Sequence, residues 1–164
     1  MVKKRKAEKS PYIKVKKSNI HNKGVYARKD IPKGAKIIEY VGELITKKEA
    51  DERADKQIDK SNKKIKNGAV YIFELNKRYD IDGNVSWNKA RFINHSCNPN
   101  AETEDEDGHI WIKAIKPIKK GDEITYNYGY GWEDYKDHLC KCGSKNCVGY
   151  ILDQKHWKKL KKGK

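Results

Sequence analysis

Apolar and polar residues alternate over 12–16, YIKVK, as in a half-buried strand, and NIHNKGVYA follows with a turn centred on Gly24 and a second short strand. DIPKGAKIIEYVGELI reads as turn, strand, turn, strand, with Pro32, Gly34 and Gly42 as the breaks, so the first third of the chain is predicted to be mostly β. At Thr46 the pattern changes. Thr46-Lys47-Lys48-Glu49 has the form of a capping box, and KKEADERADKQI is rich in helix formers. The apolar stripe of this helix is only Ala50, Ala54 and Ile58, which predicts a surface helix followed by a solvated loop ending near Gly68. AVYIFEL is a strand, KRYDIDG a strand running into an Asp-Gly turn, and WNKARFINHS a short helical or irregular segment. AETEDEDGHIWIKAIKPI predicts a hairpin turning at Asp107-Gly108, with His109, Trp111, Lys113 and Ile115 on one face and Ile110, Ile112 and Ala114 on the other. KKGDEITYNYGYGW adds a further turn and a strand carrying clustered tyrosines. Many short strands with one helix and no internal repeat predict a mainly β (β-rich α+β) fold with complex connections.

Composition adds two constraints. The 164 residues suit one domain, and ten tyrosines and four tryptophans are more than a disordered chain carries, although 37% of residues are charged. The formal charge is +15, of which residues 1–17 contribute +7 and residues 154–164 contribute +6, leaving +2 for everything between. Such ends favour a polyanion or an acidic surface, and equally serve as solvated, solubilising tails. KKRK at 3–6 suits nuclear import in a eukaryotic setting or contact with nucleic acid in any setting. No apolar run approaches the roughly 18 residues of a membrane span, and the lysine-rich start lacks a following apolar stretch. The expectation is an intracellular protein without membrane association, nuclear or chromatin-associated if eukaryotic and otherwise cytoplasmic.

A reducing interior disfavours disulfides, so the four cysteines need another explanation. CKCGSKNC places Cys140, Cys142 and Cys147 around a turn at Gly143, a spacing that lets three thiolates converge on one ion. Cys97, the one remaining cysteine, would complete a tetrahedral set, with His138 and His95 as alternative fourth ligands. Four unrelated buried thiols are the competing account, which the polar Gly/Lys/Asn/Ser setting of the C-terminal three makes unattractive. A closed four-thiolate set leaves no open position, so the single zinc would be structural.

EYVGELIT, RFINHSCNPNAE, GDEITYNYGY and CKCGSKNCVGYI, in this order, resemble the motifs of SET-domain protein-lysine methyltransferases that carry a post-SET zinc segment. The likeness runs from about Tyr12 to Leu152. It implies a SET-domain pseudoknot fold of short sheets with one surface helix, laid out as a basic tail at 1–11, a SET domain at 12–132 with a helical insert at about 46–68, a post-SET zinc segment at 133–153 and a basic tail at 154–164. It also implies S-adenosyl-L-methionine as cofactor, meeting the substrate lysine in a narrow channel entered from opposite faces. Lys23, Gly24, Val25, Tyr71, Arg91, Phe92, Asn94 and His95 match the family's cofactor-binding positions, Tyr128 its catalytic tyrosine, and Tyr40 its lysine channel. Tyr126 falls where tyrosine or phenylalanine influences how many methyl groups are added. Asn22 stands where the first glycine of G-x-G is usual, and Trp87 where a glycine commonly precedes the asparagine.

Only a neutral lysine has the lone pair for in-line attack on a methyl sulfonium, and an unperturbed lysine has a pKa of about 10.4. A desolvating aromatic channel beside a positive sulfonium disfavours the ammonium, and Tyr40, Tyr126, Tyr128 and Tyr130 suit its walls. Considered alone, the same tyrosines read as core packing and His95 as a hydrogen-bonded core residue. The implied partner is a basic protein such as a histone or DNA-compacting protein, with weak nucleic-acid contact through the tails and self-methylation as further expectations. ETEDED at 102–107 is either a solvated acidic loop or an attractor of a basic segment. Two readings compete: a small zinc-containing nucleic-acid-binding protein, and a lysine-tail-binding protein without catalysis. The nearly neutral middle of the chain argues against the first, and the retention of Tyr128 with Asn94-His95 against the second.

Overall fold

The computed structural model describes residues 9–62, 71–133 and 135–162. Its strands in chain order are β1 (Ile13–Lys17), β2 (Lys23–Ala27), β3 (Lys36–Tyr40), β4 (Glu43–Thr46), β5 (Ile72–Glu74), β6 (Tyr79–Asp82), β7 (Asn94–His95), β8 (Ala101–Glu106), β9 (His109–Ala114) and β10 (Glu123–Tyr126). Helix α1 (Lys47–Asn62) follows β4, and α2 (Trp157–Lys162) follows a 3-10 turn at Gln154–His156. The strands form three small sheets of order β1-β2-β10-β7, β3-β9-β8 and β4-β6-β5, so the expectation of a mainly β fold of short sheets holds. The basic residues 1–8, most of the loop predicted after the helix, and the side chain of Ile58 lie outside the described residues.

The apolar alternation read from the sequence becomes the core. Val25, Ile31, Ile37, Ile112, Ile118 and Ile124 are almost completely buried in one cluster shared by the sheets. In β9 the burial alternates as predicted, with Ile110, Ile112 and Ala114 inside and the hairpin turning at Asp107 and Gly108, whose φ values are 51° and 78°. One turn sits elsewhere than expected: Gly24 lies within β2, and the left-handed residue of the preceding turn is Asn22, with φ of 29°. Asparagine tolerates that region, which explains how it can stand in a usual glycine position.

Helix α1 begins at the capping box, with Glu49 Oε2 accepting from the Thr46 N–H at 2.9 Å and Thr46 Oγ1 accepting from the Glu49 N–H at 3.3 Å. The thin apolar stripe does not hold it alone. Arg53 reaches Glu43 at 2.9 Å and Asp82 at 2.7 Å, and Lys47 reaches Asp80 at 2.6 Å, so charged pairs fix the helix to the β4–β6 edge.

Two features place the functional region. Strand β10 lies between β2 and β7, antiparallel to the first through Ile124↔Val25 and parallel to the second through Thr125↔Asn94 and Tyr126↔His95, which sets RFINHS beside the tyrosine strand. At the C-terminal end, 154–162 is not an extended tail: its two helical turns carry Trp157, whose indole N–H donates to the Leu152 carbonyl at 3.1 Å, and Lys159, which sits 4.0 Å from the centre of the Trp132 ring.

Candidate active site and metal centre

The ends of β3, β7 and β10 open onto one cavity, walled by Tyr40, Tyr71, Arg91, Asn94, His95, Tyr126 and Tyr128 of the predicted site residues. Lys23, Gly24, Val25 and Phe92 do not line it. Val25 is fully buried in the core, and the Phe92 ring carries Arg91 at 4.7 Å and Lys23 at 5.1 Å. Lys23 and Gly24 instead form a second layer. Asn94 Nδ2 donates to the Lys23 carbonyl at 3.0 Å and to Glu123 Oε1 at 2.8 Å, and that carboxylate also accepts from Ser18 Oγ at 2.7 Å and Tyr26 OH at 2.9 Å. The Asn94 amide nitrogen is therefore committed to holding β2 against β10.

Strand β10 ends at Tyr126, but the alternation of tyrosines continues past it: the Tyr126 and Tyr128 rings are 5.0 Å apart and the Tyr128 and Tyr130 rings 6.1 Å. All three line the cavity. The Tyr128 hydroxyl donates to the Ile93 carbonyl at 2.8 Å, and the Tyr40 hydroxyl to the Tyr71 carbonyl at 2.7 Å, so each phenol oxygen keeps its lone pairs. Burial pushes the phenols of Tyr40, Tyr126 and Tyr128 above their ordinary range, with neighbouring tyrosines adding to the effect. At neutral pH they are polar, uncharged liners and cannot serve as bases.

The lining also includes residues that the motif reading did not assign to it: Ile20 and His21 ahead of β2, Phe73 on β5, and His138, Leu139 and Lys141 around the first of the clustered cysteines. Tyr130 stacks on His138 at 4.3 Å. Leu139 is the exposed large apolar residue of the described chain, at 52%, and a lone leucine beside a metal-type cysteine was the available signal for this wall. Trp87, at the other departure from the family pattern, leaves its neighbour's role intact: Asn88 still caps the following 3-10 turn, accepting from the Ala90 N–H at 3.1 Å.

The four cysteines converge. Their sulfur atoms all lie within 4.8 Å of one another, and Cys97 Sγ is 3.8 Å from both Cys140 Sγ and Cys147 Sγ. Tetrahedral zinc with bonds of about 2.3 Å would place its sulfurs roughly 3.8 Å apart, so the donor set fits that ion. Backbone N–H groups of Cys97, Cys142 and Gly149 point at sulfurs from 3.4–3.5 Å, the kind of contact that stabilises thiolates. The contact with Cys140 lowers the Cys97 thiol pKa and raises that of Cys140, a cluster sharing protons that a divalent cation would displace. Neither alternative histidine joins the set: His138 stacks on Tyr130, and His95 approaches Cys97 Sγ at 3.6 Å as a neighbour.

The SET-domain family model matches residues 22–129. The chain belongs to the SET-domain family. Among curated proteins it is 39% identical over 144 residues to the histone-lysine N-methyltransferase trithorax of Drosophila virilis, a match spanning 85% of this chain and 4% of that protein. It is 39% identical over 150 residues to the histone-lysine N-methyltransferase trr of Drosophila melanogaster, covering 88% of this chain and 6% of the relative. Against histone-lysine N-methyltransferase 2D of Homo sapiens the identity is 36% over 136 residues, covering 80% and 2%. This SET-domain chain thus spans a few per cent of the length of these relatives.

Proposed function

We propose that this chain is an S-adenosylmethionine-dependent protein-lysine N-methyltransferase whose substrate is a basic protein, a histone or another DNA-associated protein. The observation that carries the proposal is the convergence of Tyr40, Tyr126 and Tyr128 with Arg91, Asn94 and His95 on one cavity in a SET-domain chain similar to proteins named histone-lysine N-methyltransferases. Arg91 supports cofactor binding independently, because its Nε is buried without a hydrogen-bond partner beside the cavity, a position suited to an anionic group such as a carboxylate. Bound S-adenosylmethionine supplies an electrophilic methyl group on a positive sulfur.

The protein's share of the chemistry is positional. Tyr40 and Tyr128, anchored through their hydroxyl hydrogens, present oxygen lone pairs, and the aromatic walls favour a neutral lysine amine over its ammonium. Alignment of amine and methyl group supplies the acceleration, and water takes the lysine proton because no wall phenol is ionised. Cys97, Cys140, Cys142 and Cys147 hold one structural zinc in this reading, closing a post-SET segment at 133–153 over a SET domain at 12–132. The flanking basic ends supply weak, salt-sensitive attraction to nucleic acid, consistent with a nuclear or chromatin setting. No helix among the described residues is long and apolar enough to cross a membrane.

Labelled S-adenosylmethionine, incubated with histones, DNA-compacting proteins and the chain itself, tests this reading. Transfer to lysine by the wild type, lost in Tyr128→Phe while the fold is retained, is the expected result. A wild type that binds metal and cofactor yet labels nothing would point instead to a binding protein.

A further inference from the structure

Where β10 ends at Tyr126, the ladder with β7 ends too, and the N–H of Tyr128 has no strand to bond to. His95 supplies the missing acceptor. Its Nδ1 accepts from the Tyr128 N–H at 3.1 Å, while its Nε2 lies 3.6 Å from Cys97 Sγ. A backbone amide can only donate, so Nδ1 must carry the lone pair, the ring proton must sit on Nε2, and that proton points at the sulfur. The other tautomer would set two N–H groups against each other at a residue that is only 3% exposed.

We propose that His95 is a positioning residue that ties the backbone of Tyr128 to the four-cysteine centre, so that a displacement of the Cys97 sulfur is passed on to Tyr128. The inference rests on reading the cysteines as a metal site and Tyr128 as part of the methyl-transfer cavity. Tyr128 is then held at both ends by one segment: its hydroxyl on the Ile93 carbonyl, its amide on His95, with the His95 ring edge-on to its own at 5.5 Å. Ser96 adds its backbone N–H to the Tyr126 carbonyl at 3.1 Å, fixing the distance over which the imidazole must reach. A metal-bound thiolate would be an acceptor only, so an ion held there would reinforce the Nε2–H tautomer that the Tyr128 N–H already requires. The link explains why Cys97 lies so far in sequence from the other three cysteines. Placed two residues after His95, it lets one short segment serve both the metal and the tyrosine.

Solution NMR on the full chain tests this without reference to activity. In zinc-loaded wild type, long-range proton–nitrogen correlation should report His95 as the Nε2–H tautomer. In protein loaded with cadmium-113, the His95 Hε2 should show scalar coupling to the metal through Cys97 sulfur. Exchanging zinc for cadmium should move the Tyr128 amide resonance in wild type and leave it in place in His95→Phe. An Nδ1–H tautomer in the zinc form would overturn the link, as would a Tyr128 amide indifferent to the exchange in wild type. These outcomes separate the two ideas. An inactive protein with all three signatures would sink the methyl-transfer reading alone, and an active one with the wrong tautomer would sink the link alone.

Discussion

Gly24 is where the second layer of the site is most sharply constrained. Its φ lies outside the left-handed region, so alanine there is conformationally allowed and, by stiffening the unfolded chain, would stabilise by about 0.4–1 kcal/mol if space permitted. Space does not permit it. A Cβ at Gly24 would stand 2.2 Å from Glu123 Oε1 and 2.9 Å from both Glu123 Cδ and Ser18 Cβ. Glu123 cannot swing aside freely, because its two oxygens accept from Ser18, Asn94 and Tyr26. Hydrogen bonds to a charged group contribute about 1.5–3 kcal/mol each, so losing one or two of them, partly offset by water reaching the carboxylate, outweighs the entropic gain. Gly24→Ala should therefore cost about 2–4 kcal/mol, which for a chain of this size lowers the thermal midpoint by roughly 5–15 °C. The assay is urea unfolding of the single and double variants. With the carboxylate removed by Glu123→Ala, most of the clash is gone, and adding Gly24→Ala should cost at least about 1.5 kcal/mol less than it does in wild type. Additive free energies, or a Gly24→Ala protein as stable as wild type, would show that Glu123 is not the obstacle and refute the argument.

Other outcomes follow from the same geometry. Replacing Tyr126 with Phe removes one hydroxyl from the cavity wall and should raise the methylation state of the product while slowing the first transfer by less than about tenfold, as read by mass spectrometry of a lysine peptide. Cys147→Ser removes one of four thiolates, and elemental analysis should find less than one zinc per chain, with faster tryptic cleavage at Lys141 and Lys145; full zinc retention would count against the four-thiolate site. Glu49, held below the usual carboxylate range by the Thr46 N–H and hydroxyl, supports α1 above its unfolded-state pKa and loses that contribution as pH falls through its depressed folded-state pKa. Glu49→Gln should accordingly lower the melting temperature at neutral pH, with the gap to wild type closing in acid; a gap constant with pH would contradict the capping assignment.

The sequence carried what is periodic or local. The capping box at Thr46, the Asp107-Gly108 turn and the alternation in β9 are short-range effects of backbone and side-chain chemistry, and each appears where its pattern predicts. The motifs also pointed to the cysteine set, which the fold gathers despite a separation of 43 positions between Cys97 and Cys140. What could not be read was how layers stack. Lys23, Gly24 and Asn94 belong to the positions expected to touch a cofactor, yet the Asn94 amide nitrogen is spent on Lys23 and Glu123, a fact of three segments meeting that no one segment encodes. The acidic run 102–107 also resolved only in three dimensions: Glu104 pairs with Lys113 and Glu106 with Lys36, so part of its charge is answered within the sheet edge and less remains to attract a basic substrate. The helical turns at 154–162 went unpredicted because their lysine-rich composition resembles a solvated tail, whereas Trp157 and the Trp132 ring give them a docking place.

Leu139 shows why the metal and the cavity belong to one device. The wall it forms with His138 and Lys141 is tied to the rest of the fold at a few points: the Leu139–Tyr150 bridge, the Ile151 N–H on the His138 carbonyl at 2.8 Å, the Cys140 N–H on the Gly149 carbonyl at 3.0 Å, the Tyr130–His138 stack, and the cysteines. The exposed half of the Leu139 side chain, 52% of it, contributes nothing to folding, and burying that half would contribute about 1 kcal/mol. On the proposed reading, cofactor filling the cavity covers it, so the contribution arrives on binding instead. That gain is available only if the wall already stands in place, since ordering a loose segment costs about 1–2 kcal/mol for each residue fixed and would consume it. On that reading an ion held by the four cysteines would help fix the wall before cofactor binds. With the wall fixed in this way, part of its ordering cost would already belong to the folded state, and on the proposed reading cofactor affinity should fall when the metal is removed even though no cysteine need touch the reacting atoms.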